Sequence, residues 1–188
     1  MDKKELRAKV AEAVKALPED YCAQADAAIC RHVVESPMYQ KAQTIFCYVG
    51  NDREINTDAL LMAAMADGKT VATPLCTGKG IMEARRIQSM DDLVAGKFNI
   101  LAPKLECPVV EPEEFDLAIV PCSTGNAKGQ RLGYGGGFYD RYLPRTNCTK
   151  VLLCRARLVQ EDIPLEEHDT PMDYLTTEDG MVQCKWEK

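Results

Sequence analysis

The chain has 188 residues, enough for one domain with a buried sheet and covering helices. With 46% hydrophobic residues, 28% charged residues and a net charge of −6, it reads as a globule whose surface repels a polyanion, which argues against nucleic acid as the main partner, although local backbone N–H groups and a few cations can still hold a phosphate. No run approaches the ~20 apolar residues of a membrane span, and the charged opening Met1-Asp2-Lys3-Lys4-Glu5 leads into no apolar signal segment, so a cytoplasmic protein that engages no membrane is expected.

Residues 2–16 carry Leu6, Val10, Ala13, Val14 and Leu17 at three- and four-residue spacing, which predicts an amphipathic helix capped by Asp2. Pro18 opens a second helix to about residue 35, with Tyr21, Ala25, Ala28, Ile29 and Val33 on one face. Residues 44–49 are apolar and partly β-branched, so a buried strand is expected, followed by a polar turn over 50–54. Asn56 or Thr57 then caps a helix through Leu60, Leu61, Ala64 and Met65, which Gly68 ends. Strands are expected over 69–74 and 81–87, a short helix over 89–95 and a proline-punctuated connection over 103–112. Residues 115–120 are the clearest buried strand, with 151–153 as its neighbour. Strands alternating with helices, without repeat or linker, predict an α/β fold: a single domain over 1–188 with an open, largely parallel sheet and helices on both faces. Nine scattered cysteines form no C-x-x-C and cannot all pair, so reduced thiols are expected, some as small hydrophobes such as Cys47.

After the strand at 115–120 comes Arg131-Leu132-Gly133-Tyr134-Gly135-Gly136-Gly137-Phe138-Tyr139-Asp140-Arg141-Tyr142-Leu143. Ligands of open α/β sheets bind beyond the carboxyl ends of the strands, where this segment lies. Four glycines in five residues let the backbone turn tightly and gather several N–H groups around one anion, and the start of the following helix adds free amides. The segment is neither of the two commonest nucleotide loops: Phe138 stands where the G-x-G-x-x-G fingerprint needs glycine, and no G-x-x-x-x-G-K-[ST] occurs. Glycine clusters are often only turns, so the pattern by itself supports a candidate phosphate site and no more.

The complete string closely resembles the signature of the 5-formyltetrahydrofolate cyclo-ligase (5,10-methenyltetrahydrofolate synthetase) family. The resemblance runs along most of the chain. Lys3-Lys4-Glu5-Leu6-Arg7 is similar to an N-terminal K-x-x-L-R, and Glu54-Ile55-Asn56-Thr57 to an E-I-x-T segment after the first strand. Gly68-Lys69-Thr70-Val71 with Pro74, Asp116 to Pro121, Ile163-Pro164 and His168-Asp169 match further family segments in order. Departures are Gly136, where some members carry Lys, the run Cys122-Ser123-Thr124-Gly125-Asn126, and Arg155-Ala156-Arg157, where Gln is common.

The resemblance implies an ATP- and magnesium-dependent enzyme acting on 5-formyltetrahydrofolate, expected to work as a monomer. It implies ATP contacts at Lys3, Lys4, Glu5, Leu6 and Arg7, and at Arg131, Leu132, Gly133, Tyr134, Gly135, Gly136, Gly137, Phe138 and Tyr139. Folate contacts fall on Val49, Glu54, Tyr134, Gly135, Gly136, Gly137 and Phe138, and magnesium ligands on Asp140 and Asp169. Arg131 and Glu54 are the expected catalytic residues, Arg131 on the transferring phosphoryl group and Glu54 beside the reacting amine. Apart from the resemblance, Lys3 and Arg7 are two cations one helical turn apart, and Asp140 is a carboxylate favoured in a first helical turn. His168 is expected to play a supporting or structural part and His32 a structural one. A non-catalytic nucleotide- or folate-binding relative, and an enzyme acting on another N-formyl or amide substrate, are the alternative readings.

Overall fold

The computed structural model describes residues 1–97 and 100–186. Helices are α1 (Lys3–Lys15), α2 (Glu19–Val34), α3 (Pro37–Lys41), α4 (Asp58–Ala66) and α5 (Phe138–Tyr142). Strands are β1 (Thr44–Cys47), β2 (Thr70–Gly78), β3 (Ile81–Ile87), β4 (Leu93–Ala95), β5 (Leu101–Pro103), β6 (Val109–Val110), β7 (Leu117–Val120), β8 (Thr124–Gly125), β9 (Arg131–Leu132), β10 (Thr149–Leu153), β11 (Tyr174–Thr177) and β12 (Gly180–Gln183). Eight of them form one sheet in the order β12-β11-β10-β7-β1-β2-β3-β6. Its centre, β11-β10-β7-β1-β2, is parallel, and the antiparallel strands are confined to the two edges.

Alternation along the central strands explains why both faces are covered. Ile45, Cys47, Leu117, Ile119, Val151 and Leu153 point to one side, where Ile29 and Val33 of α2, Tyr39 of α3 and Leu60, Leu61 and Ala64 of α4 close over them. Phe46, Ala118, Val120 and Leu152 point to the other, against Leu6 and Val10 of α1 and Tyr142 of α5. A strand buried on both faces reads as an unbroken apolar run, as 117–120 does. Each such Leu, Ile or Phe contributes about 1.5–3 kcal/mol by leaving water. Phe46 also meets Phe115 and Tyr139 edge-on, with ring centroids 5.7 and 6.0 Å apart.

Local chemistry sets the ends of the elements. Asp2 caps α1 in a reciprocal box with Glu5. Thr57 sits at the N-cap of α4, yet its hydroxyl donates to the Tyr48 carbonyl at 2.7 Å, and Asn56 Oδ1 accepts the Asp58 N–H at 2.9 Å.

Several expectations are corrected. The stretch 89–95 is a single 3-10 turn, with the Asp92 carboxylate accepting N–H groups of Gln88 and Ser89, followed by β4 paired with β5. Local Ser and Asp side-chain bonds outcompete so short a helix. The connection over 103–112 contains β6, an edge partner of β3. A further helix, α3, opens on Ser36 and Pro37, and β11 and β12 form a hairpin around Glu178 and Asp179, neither of which the hydrophobic pattern announced.

Candidate active site

The carboxyl ends of β1, β7 and β10 open on one edge of the sheet, and the chain leaving each builds one wall of a cleft. Tyr48, Glu54, Cys122, Cys154 and Arg155 all line it. From β1 the backbone runs through Gly50 into a tight loop. A Cβ on Gly50 would lie 2.1 Å from the Ile55 carbonyl oxygen, so only glycine allows this close return. Thr57 Oγ1 ties the return by accepting the Gly50 N–H at 3.3 Å. The loop carries Glu54 inward, where its carboxylate accepts the Asn51 N–H at 3.3 Å. Burial pushes the Glu54 carboxyl above its usual range, and the Asn51 bond and the Arg131 charge only partly offset this.

Arg131 lies on β9, which pairs with β8 just beyond β7. The departing run 122–126 therefore supplies the strand that holds Arg131: Ser123 N–H donates to Leu132 O at 2.7 Å, and Thr124 Oγ1 to Leu158 O at 2.6 Å. The Arg131 side chain is only 8% exposed; its Nε donates to Pro121 O at 2.7 Å, and its guanidinium lies 4.9 Å from the centre of the Tyr139 ring. Nη1 and Nη2 have no hydrogen-bond or ion-pair partner among the described residues; they lie against Gly133, and the charge is near enough to act on the Glu54 carboxyl.

Beside it, Gly135 and Gly137 take φ of +98° and +71°. The backbone N–H groups of Tyr134, Gly135, Gly136, Gly137 and Phe138 donate to nothing among the described residues, which leaves five successive amides at the start of α5. Arg141 braces the loop, its Nη1 donating to Gly80 O and Gly136 O at 3.4 Å. Tyr134 stands at the mouth, 49% exposed, with its hydroxyl turned in to Cys122 O at 2.9 Å.

The start of α1 closes the far side. Arg7 Nε donates to Gly133 O at 2.8 Å. Lys3 Nζ lies 2.8 Å from both Asp169 oxygens and from Glu166 Oε2. Burial pulls the Lys3 ammonium down, but these carboxylates outweigh it and the net displacement is upward. Asp169 also accepts the Glu166 N–H, and Asp140 accepts the Thr170 N–H at 3.2 Å, which brings α5 against this acidic loop.

The residues expected to act together thus meet: Glu54, Arg131, 133–139, Asp140, Asp169, Lys3 and Arg7 share one edge. The side chains of Val49, Leu6 and Leu132 serve the core instead. Lys4 and Glu5 are exposed, Glu5 within the cap of its own helix. His32 is structural, its Nε2 3.0 Å from Glu178 O. Residue-by-residue reading missed Glu166, whose carboxylate, with His168 and Asp169, offers ligand atoms within 4.8 Å of one another. Its spacing of three from Asp169 was the available signal.

Comparison with known proteins bears on this edge as a whole. Residues 1–178 match the model of the 5-formyltetrahydrofolate cyclo-ligase family. A probable 5-formyltetrahydrofolate cyclo-ligase of Schizosaccharomyces pombe is 28% identical over 97% of this chain and 98% of its own length. The Escherichia coli K12 5-formyltetrahydrofolate cyclo-ligase is 31% identical over 75% of this chain and 81% of its own. The NMR structure of Aquifex aeolicus 5,10-methenyltetrahydrofolate synthetase superposes with a TM-score of 0.87 at 28% identity, covering 100% of this chain and 95% of that one. A Mycoplasma pneumoniae 5,10-methenyltetrahydrofolate synthetase, 20% identical, shares the fold with a TM-score of 0.78. A match that spans the N-terminal helix, the Glu54 loop, the glycine segment and the acidic loop alike places this chain in the 5-formyltetrahydrofolate cyclo-ligase family.

Proposed function

We propose that this chain uses ATP to convert 5-formyltetrahydrofolate into 5,10-methenyltetrahydrofolate, releasing ADP and phosphate, and that the cleft between Glu54 and Arg131 is where the ring closes. One observation supports the placement: the half-buried Glu54 carboxylate lies within electrostatic reach of the buried Arg131 guanidinium, whose two amino groups, like five successive amides, have no partner among the described residues.

The chemistry needs those groups. An N-formyl group is an amide, with a weakly electrophilic carbon and an oxygen that leaves poorly. Transfer of the γ-phosphoryl group forms an O–P bond at the formyl oxygen and breaks the bond to ADP. The neighbouring amine then attacks the formyl carbon, the C–O bond breaks as phosphate departs with the electron pair, and the amine's proton leaves with the phosphate. A cationic methenyl bridge remains. The protein's part is positioning and charge stabilisation. Amides 134–138 cradle phosphate oxygens, Arg131 donates to the transferring group, and Lys3 and Arg7 supply further positive charge. Glu54 accepts a hydrogen bond from the reacting amine and favours the cationic product.

Asp140 and Asp169 would hold a magnesium ion, which supplies neutralising charge to the triphosphate. Their hard oxygen donors fit the ion. Among the described residues Asp140 keeps one oxygen without a hydrogen bond, whereas Asp169, its side chain 6% exposed, is paired with Lys3. The same reading makes the enzyme a cytoplasmic monomer. Nine free thiols suit a reducing compartment, and light scattering checks the mass.

The test is to follow the absorbance of the methenyl product from 5-formyltetrahydrofolate with and without ATP and magnesium. Product that depends on both is expected. Folate and nucleotide binding without turnover would make the chain a binding module and overturn the proposal.

A further inference from the structure

Arg155 is one of the departures from the family pattern, and the structure gives it a specific partner. Arg155 and Asp26 are 5% and 8% exposed, and 129 positions separate them. Arg155 Nε donates to Asp26 Oδ1 at 2.8 Å, and its Nη2 to Asp26 Oδ2 at 3.0 Å, a two-pronged pair. Neither residue stops there. Nη2 also donates to the Glu54 carbonyl at 3.2 Å, and Asp26 Oδ2 accepts the Asn56 N–H at 3.0 Å. Two buried charges, one on α2 and one just past β10, therefore grip the backbone on both sides of Ile55.

We propose that the Asp26–Arg155 pair is a positioning clamp for Glu54, setting how far its carboxylate enters the folate half of the cleft; this rests on the reading of Glu54 as a folate contact. Other structural reasons for the pair are weak. A buried ion pair is a poor source of net stability, because desolvating both partners offsets most of their attraction. What this pair does supply is two backbone hydrogen bonds, at 3.2 and 3.0 Å, to a loop that contributes no strand or helix and whose other ties are Thr57, Asn51 and two longer contacts, the Tyr48 hydroxyl to Ile55 O at 3.4 Å and Cys30 Sγ to Asn56 O at 3.5 Å. Because Asp26 neutralises Arg155, the cleft also gains no free cation from the departure, so Arg155 is a positioning residue and not a ligand for the substrate's carboxylates.

The test measures dissociation constants for 5-formyltetrahydrofolate and for a non-hydrolysable ATP analogue, with thermal melts alongside. In Asp26→Leu/Arg155→Met, where apolar groups of similar volume replace both charges, folate affinity should fall about tenfold or more, since small misplacements of a positioned group have effects of this size. The ATP analogue should bind within a factor of two of the parent. Arg155→Lys, which keeps the charge but cannot bond both Asp26 oxygens and the Glu54 carbonyl, should weaken folate binding in the same direction with a near-parental melt. It serves alone if the double variant does not melt cooperatively. Glu54→Gln is measured in parallel, and with it in place, removing the clamp should cost little more. Parental folate affinity in Arg155→Lys, or equal weakening of both ligands, overturns the clamp while leaving Glu54 in its role. Parental folate affinity in Glu54→Gln overturns the Glu54 reading itself, and the clamp falls with it. Additive losses in the combined variant overturn the claim that the clamp acts through Glu54.

Discussion

Removing the Arg131 guanidinium should cost turnover far more than it costs folding. The side chain is fixed at three points: Nε on Pro121 O at 2.7 Å, the ring of Tyr139 at 4.9 Å, and the β8–β9 ladder beneath it. Its two outer amino groups are therefore held in place before any phosphate arrives, and no reorganisation is needed when charge develops on the transferring group. Losing one such preorganised donor typically costs about 3–4 kcal/mol of transition-state stabilisation, a factor of 10² to 10³ in kcat. Folding loses less: an unpaired Pro121 carbonyl costs about 1–3 kcal/mol, and a stacked cation about 1 kcal/mol. Arg131→Ala should therefore melt cooperatively at a lower temperature while kcat falls at least 10²-fold. Arg131→Lys should not restore the rate, because an ammonium cannot keep the Pro121 bond and reach forward with a fork. The assay is methenyl absorbance at saturating ATP and folate, with the folded fraction taken from the melt. A kcat within threefold of the parent in folded Arg131→Ala would refute the reasoning.

Other expected outcomes follow from the same geometry. The Glu54 carboxyl is raised, mainly by burial, and works ionised, so folate binding should be lost as pH falls through a value above that of an exposed Glu; Glu54→Gln should lack this limb. Because the folded state holds that proton more tightly than the unfolded chain, ionisation lowers stability as pH rises past the ordinary Glu range, and Glu54→Gln should melt higher than the parent at neutral pH. Asp140→Asn and Asp169→Asn should each raise the magnesium concentration for half-maximal rate, and an unchanged titration in both would leave them as partners of Thr170 and Lys3 only. Lys3→Ala should raise the KM for ATP with little effect on kcat, and identical ATP curves would make Lys3 a purely structural tie to the acidic loop. Gly137→Ala forces a side chain to φ +71° and to within 3.0 Å of Arg141, so a loss of ~1–2 kcal/mol in stability and weaker ATP binding are expected, with melts and titrations as the check.

How far the chain could be read from its residues depended on the range of the interactions. Helix α1 was legible because Asp2, Glu5 and the Leu6–Val10 spacing act within one turn, and 117–120 because burial on both faces leaves an apolar run. The stretch 89–95 misled because its apolar spacing suits a turn of helix, while Ser89 and Asp92 bond the backbone in another shape. At the site, the glycine segment announced itself, but its bracing by Gly80 and Arg141 did not, since those residues lie 61 positions apart. Glu54 was visible only through resemblance. A polar turn says nothing of burial, and what buries it, the Gly50 return and the Asp26–Arg155 pair, is tertiary. Glu166 stayed hidden because its role arises where α1 docks against its loop.

An acidic chain that must hold a triphosphate raises a question of where the positive charge comes from, and the site answers it unevenly. Of the cations near the cleft, Lys3 is engaged by two carboxylates and Arg155 by one. Arg7 gives its Nε to Gly133 O, and the buried Arg131 keeps two amino groups without a partner among the described residues. Side-chain charge is therefore modest, and under the proposed function the remaining recognition would fall to the amides of 134–138, whose dipoles bind anions without adding net charge. Gly136 fits this economy. A Cβ there would lie 2.6–2.7 Å from the ring of Phe138, so a lysine at this position would first have to displace that ring from its packing against the core. Arg7, whose guanidinium lies against Gly135, already brings a cation to the neighbouring residue without that displacement. On the proposed reading the phosphates are held chiefly by backbone shape, so substitution of the left-handed glycines 135 and 137 should weaken ATP binding more than loss of Lys3 or Arg7 does, and equal losses in ATP-analogue titrations would overturn that ranking.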